Sequence, residues 1–435
     1  MAESGISIGP AAPAADPEGA LAPLRLPDFR WLIAGTTLSN GAQWIQQVTL
    51  SWLVYDLTSS GTMLGTMNLV RAAATLGLAA LAGLAIDRFA RSTLMLVVNG
   101  WLLAISLVLG VALLSGYVEI WPLFVYSFLG GIAQAIDMPL RQTVVFVLVP
   151  RRLAPAAIAL VQTGWAVMRS LGPAIGGFLI LWFGPGGNFL VQASAYGLIA
   201  LTILRIRFPP EPTIRADGAA KGALAEGLRF VLTQPTTRAF VLMGWVLPLF
   251  IIPTFSALPP IYAKTVFQGG PDTLGVLLSA VGLGGIVGGL FSASLSRFER
   301  RGLLQLGALL LLSLALIGFA FTTDLLPALG LLATAGFFEM IYLTTNQTLL
   351  QLSIPDALRG RVTSIVSLNA GLSPIGALVA GIGADLIGPQ VTTFFLSGIA
   401  GLIAIAVFWG SPTVRGYRMS SALAADPSGA PERGR

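Results

Sequence analysis

Long apolar runs, each broken by a short polar or charged segment, follow one another along almost the whole chain. A bilayer core of roughly 30 Å is crossed by about 20 apolar residues wound as a helix. Runs of that kind lie at residues 31–54, 64–86, 94–114, 121–139, 156–183 and 189–206, and then at 240–263, 274–295, 303–321, 327–350, 362–387 and 393–409. The pattern predicts an all-α membrane protein of twelve transmembrane helices. The polar stretch 209–238 divides these spans into two sets of six, giving an N-terminal bundle at 25–208 and a C-terminal bundle at 239–410. Within that connector Leu224, Leu228 and Val231 share one helical face, while Glu226 and Arg229 lie elsewhere. This predicts a short amphipathic helix along the membrane surface. Residues 1–24 read as a disordered tail with neither the basic start nor the apolar core of a secretory signal, and 411–435 as a second tail, disordered from Ala422 onward.

Charge placement gives the orientation. Arg88 and Arg91 follow the second span, Arg141, Arg151 and Arg152 the fourth, and Arg359 and Arg361 the tenth. On an even-span count these, the connector cations and those of both tails fall on one side, and only Lys264 falls opposite. Positive residues stay cytoplasmic, so both termini are expected in the cytoplasm of a cell (inner or plasma) membrane protein. The composition agrees, with 55% hydrophobic and 10% charged residues, against about 25% charged in a soluble domain. A net charge of +6 does not signal nucleic acid, because the cations sit in small groups between apolar runs and form no continuous face. The chain has no Cys and no His, and no clustered carboxylate pair. That argues against an enzyme, a metal site or a cofactor. No phosphate-binding glycine loop is present to supply ATP drive.

The two halves echo each other. Arg141-Gln142-Thr143, running into Val149-Pro150, matches Asn346-Gln347-Thr348 running into Ile354-Pro355. Asp87-Arg88-Phe89-Ala90-Arg91 matches Ser296-Arg297-Phe298-Glu299-Arg300, and Gly172-Pro173 matches Ser373-Pro374. Repeats of this parallel kind belong to transporters that rock one half against the other.

On these residues the chain resembles the major facilitator superfamily. Gly83-Leu84-Ala85-Ile86-Asp87-Arg88-Phe89-Ala90-Arg91 is similar to that family's loop motif G-x-x-x-D-R-x-G-R, with Ala90 in place of the usual Gly. Gly172-Pro173-Ala174-Ile175-Gly176-Gly177 is similar to the G-P-x-x-G-G signature of exporters that exchange cargo for protons. Gln134-Ala135-Ile136-Asp137-Met138-Pro139, with Arg141 and Gln142, resembles the branch containing the enterobactin exporter and multidrug-type exporters. The resemblance covers the chain outside its tails. It implies two pseudo-symmetric six-helix bundles, a monomer, and secondary active transport of a small molecule with protons.

Several residues are candidates for that chemistry. Asp87, Arg88 and Arg91, with Asp137 and Arg141, form a candidate cytoplasmic gate. In it Asp87 docks on the N-terminus of span eleven near Gly360, and Asp137 pairs with Arg88 or Arg91. The alternative is a solvated topology signal. Gly172, Pro173, Gly176 and Gly177 read as close packing in any case. Thr36, Asn40, Gln43, Gln47 and Ser51 share one face of span one, beside Trp44, and face either a wet cavity or other helices. Inside the spans lie Arg71, Arg169 and Glu339. Gln162 and Trp165 share a face with Arg169, and Tyr342 and Asn346 share one with Glu339. Glu339 is the candidate proton carrier, since a poorly hydrated carboxyl can load and release protons near neutrality. Its competing role is a permanent ion pair with Arg71 or Arg169. Two internal arginines against one glutamate hint at an anionic or catechol-like cargo. The expectation is therefore a proton-coupled exporter of a siderophore-like or drug-like molecule, working by alternating access. An importer, or a non-transporting receptor or scaffold on the same fold, is the alternative.

Overall fold

The structure, a computed structural model, describes residues 19, 21–209, 223–295, 298–355, 358, 362 and 369–417, and among them it is helical throughout. Span one is Pro27–Thr58, opened by a proline in its first turn and closed by Ser59 at φ 48°. Span two comes in two pieces, Gly61–Gly77 and Ala79–Arg88, bent by 50°. Ser60 caps its start by accepting the Met63 N–H. Spans three and four are Arg91–Leu114 and Ile120–Leu148.

Spans five and six run on as Ala154–Arg205, divided where Gly184 takes φ 68° and Pro185 follows. Only a residue without Cβ tolerates that left-handed conformation cheaply. The sequence places a gap of several residues there; the structure closes it to one glycine.

Span seven, Pro235–Val266, is irregular, with π-helical turns at Leu247–Ile251 and Tyr262–Val266. Four prolines between positions 248 and 260 each remove a backbone donor, so the ladder loosens. Spans eight to ten are Pro271–Ser294, Arg301–Ala320 and Leu325–Leu352. Asn369–Ile387 is the described part of span eleven, and Pro389–Gly410 is span twelve.

Among the described residues eight helices are long and apolar enough to cross a membrane, or nine when the bent pair counts as one span. The Gly184 break makes two spans of one, and Pro27–Thr58 and Asn369–Ile387 complete the set of twelve. Span one is less apolar because polar residues occupy two of its faces. On one, Gln46 accepts from Gln192 of span six at 3.2 Å, and Thr49 accepts from Asn188 at 2.7 Å. Gln192 also takes the Tyr126 hydroxyl at 3.0 Å, which ties span four to the same network. In a bilayer such groups must find partners inside the protein.

The connector helix is Ala223–Thr233, with Val231 buried and Leu228 exposed. The Ser296-Arg297 copy of the loop motif lies outside the described residues.

Two apolar cores organise the packing. One gathers Phe29, Leu32, Met95, Leu140, Tyr196, Ile199 and Ile203 at the end of the N-terminal bundle that carries the described start of the chain. We call this the terminal end. The other core joins Val48, Val54, Leu64, Tyr126 and Phe189 to the whole C-terminal bundle. It runs the length of the C-terminal bundle, from Phe240 and Leu350 to Tyr262, and takes in the N-terminal bundle at the far end, toward Ser59 and Gly184. The halves therefore share one core at the far end and have separate cores at the terminal end.

Candidate functional site

Between the halves lies a cavity of about 470 Å³. Spans one to six supply one wall, with Gln43, Trp44, Gln46, Gln47, Ser51, Arg71, Leu102, Gln134, Asp137, Trp165, Arg169 and Tyr196. Spans seven, eight, ten and eleven supply the other, with Ile252, Phe255, Ser256, Pro259, Pro260, Leu274, Leu278, Glu339, Leu343 and Ser373. The first wall is polar and aromatic; the second is mostly apolar.

One ion pair crosses this space. Arg169 Nη2 donates to Glu339 Oε1 at 2.8 Å and to Oε2 at 2.7 Å. Glu339 is 2% exposed, and the Arg169 guanidinium lies 5.6 Å from the centre of the Trp165 ring. Burial in an apolar setting makes each charge dependent on the other. Of the two arginines that the sequence offers to Glu339, the structure joins Arg169. Arg71 bonds instead to Gln47 Oε1 at 2.8 Å and Asn68 Oδ1 at 3.4 Å.

Other candidates fall differently from the sequence reading. Asp137 lines the cavity and forms its ion pair with Arg141, four residues on in its own helix, at 2.8 Å. It does not pair with Arg88 or Arg91 as the sequence suggests. One helical turn brings Asp137 and Arg141 together more readily than a neighbouring loop can. Arg141 also donates to Asn99 of span three at 3.3 Å. The repeat equivalents are neutral and turn away from the cavity. Tyr342 donates its hydroxyl to the Met243 carbonyl at 2.6 Å, and Asn346 accepts from Gln305 at 2.6 Å. Both are buried inside the C-terminal bundle, which corrects their placement on the cavity wall. Asn40 and Gln162 are not among the lining residues, and Gln162 is exposed. Thr36 is buried near the terminal end of span one, away from the cavity. Gln46, Gln134, Tyr196 and the proline-rich turn of span seven were missed. The alternation of proline with Phe255 and Ser256 was the available signal.

The far end of the cavity is shut by backbone contact between halves. A Cβ on Gly65 would strike Leu378, and Gly61 and Gly381 pack on each other's backbones. Gly177 lies against Pro271 and Asp272 of span eight, and Gly172 against Trp44 of span one. The glycine motif of span five thus allows close approach both within its half and across to the other. Over this seam Asp385, near the end of span eleven, caps the start of span two. Its Oδ1 accepts the Gly61 N–H at 2.6 Å, and its Oδ2 accepts the Thr62 N–H at 2.9 Å and the Ser60 hydroxyl at 2.8 Å. Free N–H groups at a helix start favour a carboxylate there. Lys264, the cation that falls on the opposite side in the sequence, pairs with Asp56 of span one at 2.6 Å.

At the terminal end, Asp87 and Arg88 are exposed. Asp87 has no ion pair among the described residues, and the expected dock near Gly360 lies outside them.

Comparison with known proteins fits this geometry. The model of the family described as "Transmembrane secretion effector" matches residues 18–424. The chain belongs to that family, within the major facilitator superfamily. This transporter is 30% identical over 402 residues to the multidrug efflux pump Tap of Mycolicibacterium fortuitum, spanning 86% of this chain and 92% of the pump. It is 26% identical over 370 residues to the staphyloferrin A transporter of Staphylococcus aureus, spanning 84% and 91%. Over 241 residues it is 29% identical to the enterobactin exporter EntS of Escherichia coli, spanning 54% and 56%. Among solved structures, an inward-facing bacterial homologue of the human lysosomal transporter Spinster superposes with a TM-score of 0.69 at 15% identity, covering 90% of this chain and 98% of that one. An inward-facing bacterial homologue of ferroportin gives 0.67 at 17% identity, covering 89% and 98%. The fold is the twelve-helix major facilitator fold, and the protein is a multi-pass membrane transporter of a small molecule.

Proposed function

We propose that this transporter is a proton-coupled exporter that carries a small organic molecule by alternating access, with Glu339 as the proton carrier. The observation that carries the reading is the Arg169–Glu339 pair, which joins the halves across the cavity at 2.7 Å. While Arg169 is in contact, the carboxylate is neutralised and needs no proton. When the halves rotate and part the pair, a buried carboxylate is left without its counter-charge, and taking up a proton relieves that penalty. Proton binding is thereby tied to the same motion that turns the cavity from one face to the other.

Direction and orientation rest on separate observations. The relatives named as an efflux pump and as an exporter move cargo outward, and export is carried over to this chain on that likeness. The cation pattern puts both termini in the cytoplasm, so the terminal end, where the halves have separate cores, is the cytoplasmic one. The protein works as a monomer in the cell membrane, with no cofactor, and its cargo enters from the cytoplasm.

The test uses purified protein in proteoliposomes with an imposed pH gradient and a panel of siderophores, dyes and antibiotics. Wild-type protein is expected to concentrate at least one compound when the gradient is present. Glu339→Gln is expected to abolish gradient-driven accumulation while still exchanging cargo down its own gradient. Accumulation by Glu339→Gln at the wild-type level would remove Glu339 from the mechanism.

A further inference from the structure

Once each ion pair at the cavity is counted with both its members, one cation is left over. The charged lining residues are Arg71, Asp137, Arg169 and Glu339. Arg169 is paired with Glu339, and Asp137 with Arg141. Arg71 has no carboxylate among the described residues. Its partners are the neutral Gln47 and Asn68, which engage two of the five N–H groups that a guanidinium carries.

Its surroundings hold this cation in place rather than neutralise it. Asn68 is fixed by donating to the Leu64 carbonyl at 3.0 Å, which directs its own oxygen to Arg71. Gly131 of span four packs on the Arg71 backbone, and Thr75 bridges the Arg71 and Gly131 carbonyls at 3.0 Å each. Gln43, Gln134 and Trp44 lie on the same wall and carry no charge. A guanidinium at membrane depth whose own hydrogen bonds go to two neutral amides is costly unless something else supplies the anion. The forked donors of Arg match a carboxylate in two parallel hydrogen bonds.

We infer that Arg71, steadied by Gln47 and Asn68, anchors an anion subsite that takes the carboxylate of an amphiphilic organic acid. The rest of that molecule lies on the apolar wall of Ile252, Phe255, Leu274 and Leu278. The cavity, at about 470 Å³, suits a drug-sized body rather than an inorganic ion. The inference rests on the transport reading in that the occupant is taken as cargo. It makes no use of Glu339 or of a proton.

The experiment compares two dyes with the same xanthene ring system and opposite charge, fluorescein and rhodamine 6G. Binding is measured by fluorescence polarisation to the full chain in lipid nanodiscs. Wild-type protein is expected to bind fluorescein at least about tenfold more tightly than rhodamine 6G. Arg71→Gln is expected to lose that preference through weaker fluorescein binding, with rhodamine 6G affinity held or improved. Retained rhodamine binding shows that the variant is folded. Arg71→Lys keeps the charge but loses the fork and is expected to fall between them. Absence of fluorescein binding to the wild type, a wild-type preference for rhodamine 6G, or unchanged fluorescein affinity in Arg71→Gln would each overturn the subsite. Because binding is read without a gradient, failure of proton coupling leaves this result standing, and failure here leaves proton coupling standing.

Discussion

At the far end of the bundle, Asp385 is bonded to two backbone N–H groups and a hydroxyl at the start of span two. At the terminal end, Asp87 sits at the close of the same span, exposed and without an ion pair among the described residues. The two acids are suited to the same device, a carboxylate set on the exposed N–H groups of a helix in the opposite half. In this conformation the far-end acid is engaged, while its terminal-end counterpart has no ion pair among the described residues. The difference suggests that the cycle exchanges one helix-start contact for the other, so that neither closure needs to be strong. A latch that must release on every turnover gains from being modest. Exposed carboxylate contacts screened by water have that strength.

The sharpest way to break this comparison is to prevent the exchange. The chain contains no Cys, so Asp56→Cys with Lys264→Cys places the only two thiols at the far end. Bridging them with a short reducible linker should hold that end shut and stop transport, and reduction should restore it. Continued transport by quantitatively bridged protein would mean that the far end does not open.

A smaller effect is expected from removing each acid in turn. Asp385→Ala should shift the population toward the state open at the far end, by roughly tenfold for three charge-assisted bonds weakened by solvent. Asp87→Ala should shift it in the other direction. The reporter is Ser256→Cys, a cavity-lining position, labelled by impermeant reagents from either side. If the two substitutions move its labelling in the same sense, the exchange of contacts is wrong.

Much of this architecture was legible from hydrophobic runs alone, because a bilayer fixes helix length and leaves few alternatives. The face of span one that carries Gln43, Gln47 and Ser51 was readable for a related reason, since lipid penalises polar groups. What the sequence could not place was anything set by the choice among several buried partners. Tyr342 and Asn346 share a helical face with Glu339, yet Met243 and Gln305 draw them into their own bundle. Periodicity puts residues on one face but does not say whether that face meets a cavity or a neighbouring helix. Asp137 shows the complementary limit: the sequence offers it the loop arginines Arg88 and Arg91, and the structure gives it Arg141, one turn away in its own helix. Asp385 carries no signal in the sequence, because an acid near the end of an apolar run looks like ordinary helix termination. Only the opposed start of span two, some 320 positions away in sequence (separation 324 for Gly61), gives it a role.

The mildest test concerns Lys264 and Asp56. Their 2.6 Å contact joins the halves at the far end, but the side chains are 36% and 46% exposed. An exposed pair of that kind is worth about 0–1 kcal/mol and weakens as salt rises. Lys264→Ala should therefore change the far-end accessibility of the Ser256→Cys reporter by no more than about fivefold, and by less at high ionic strength. Since Lys264 also lies 5.9 Å from the Tyr55 ring centre, Lys264→Arg keeps both the charge and the ring contact and should be close to wild type. An effect of Lys264→Ala exceeding that of Asp385→Ala would reverse the ranking argued here. It would make the ion pair the principal closure and the helix-start contact its accessory.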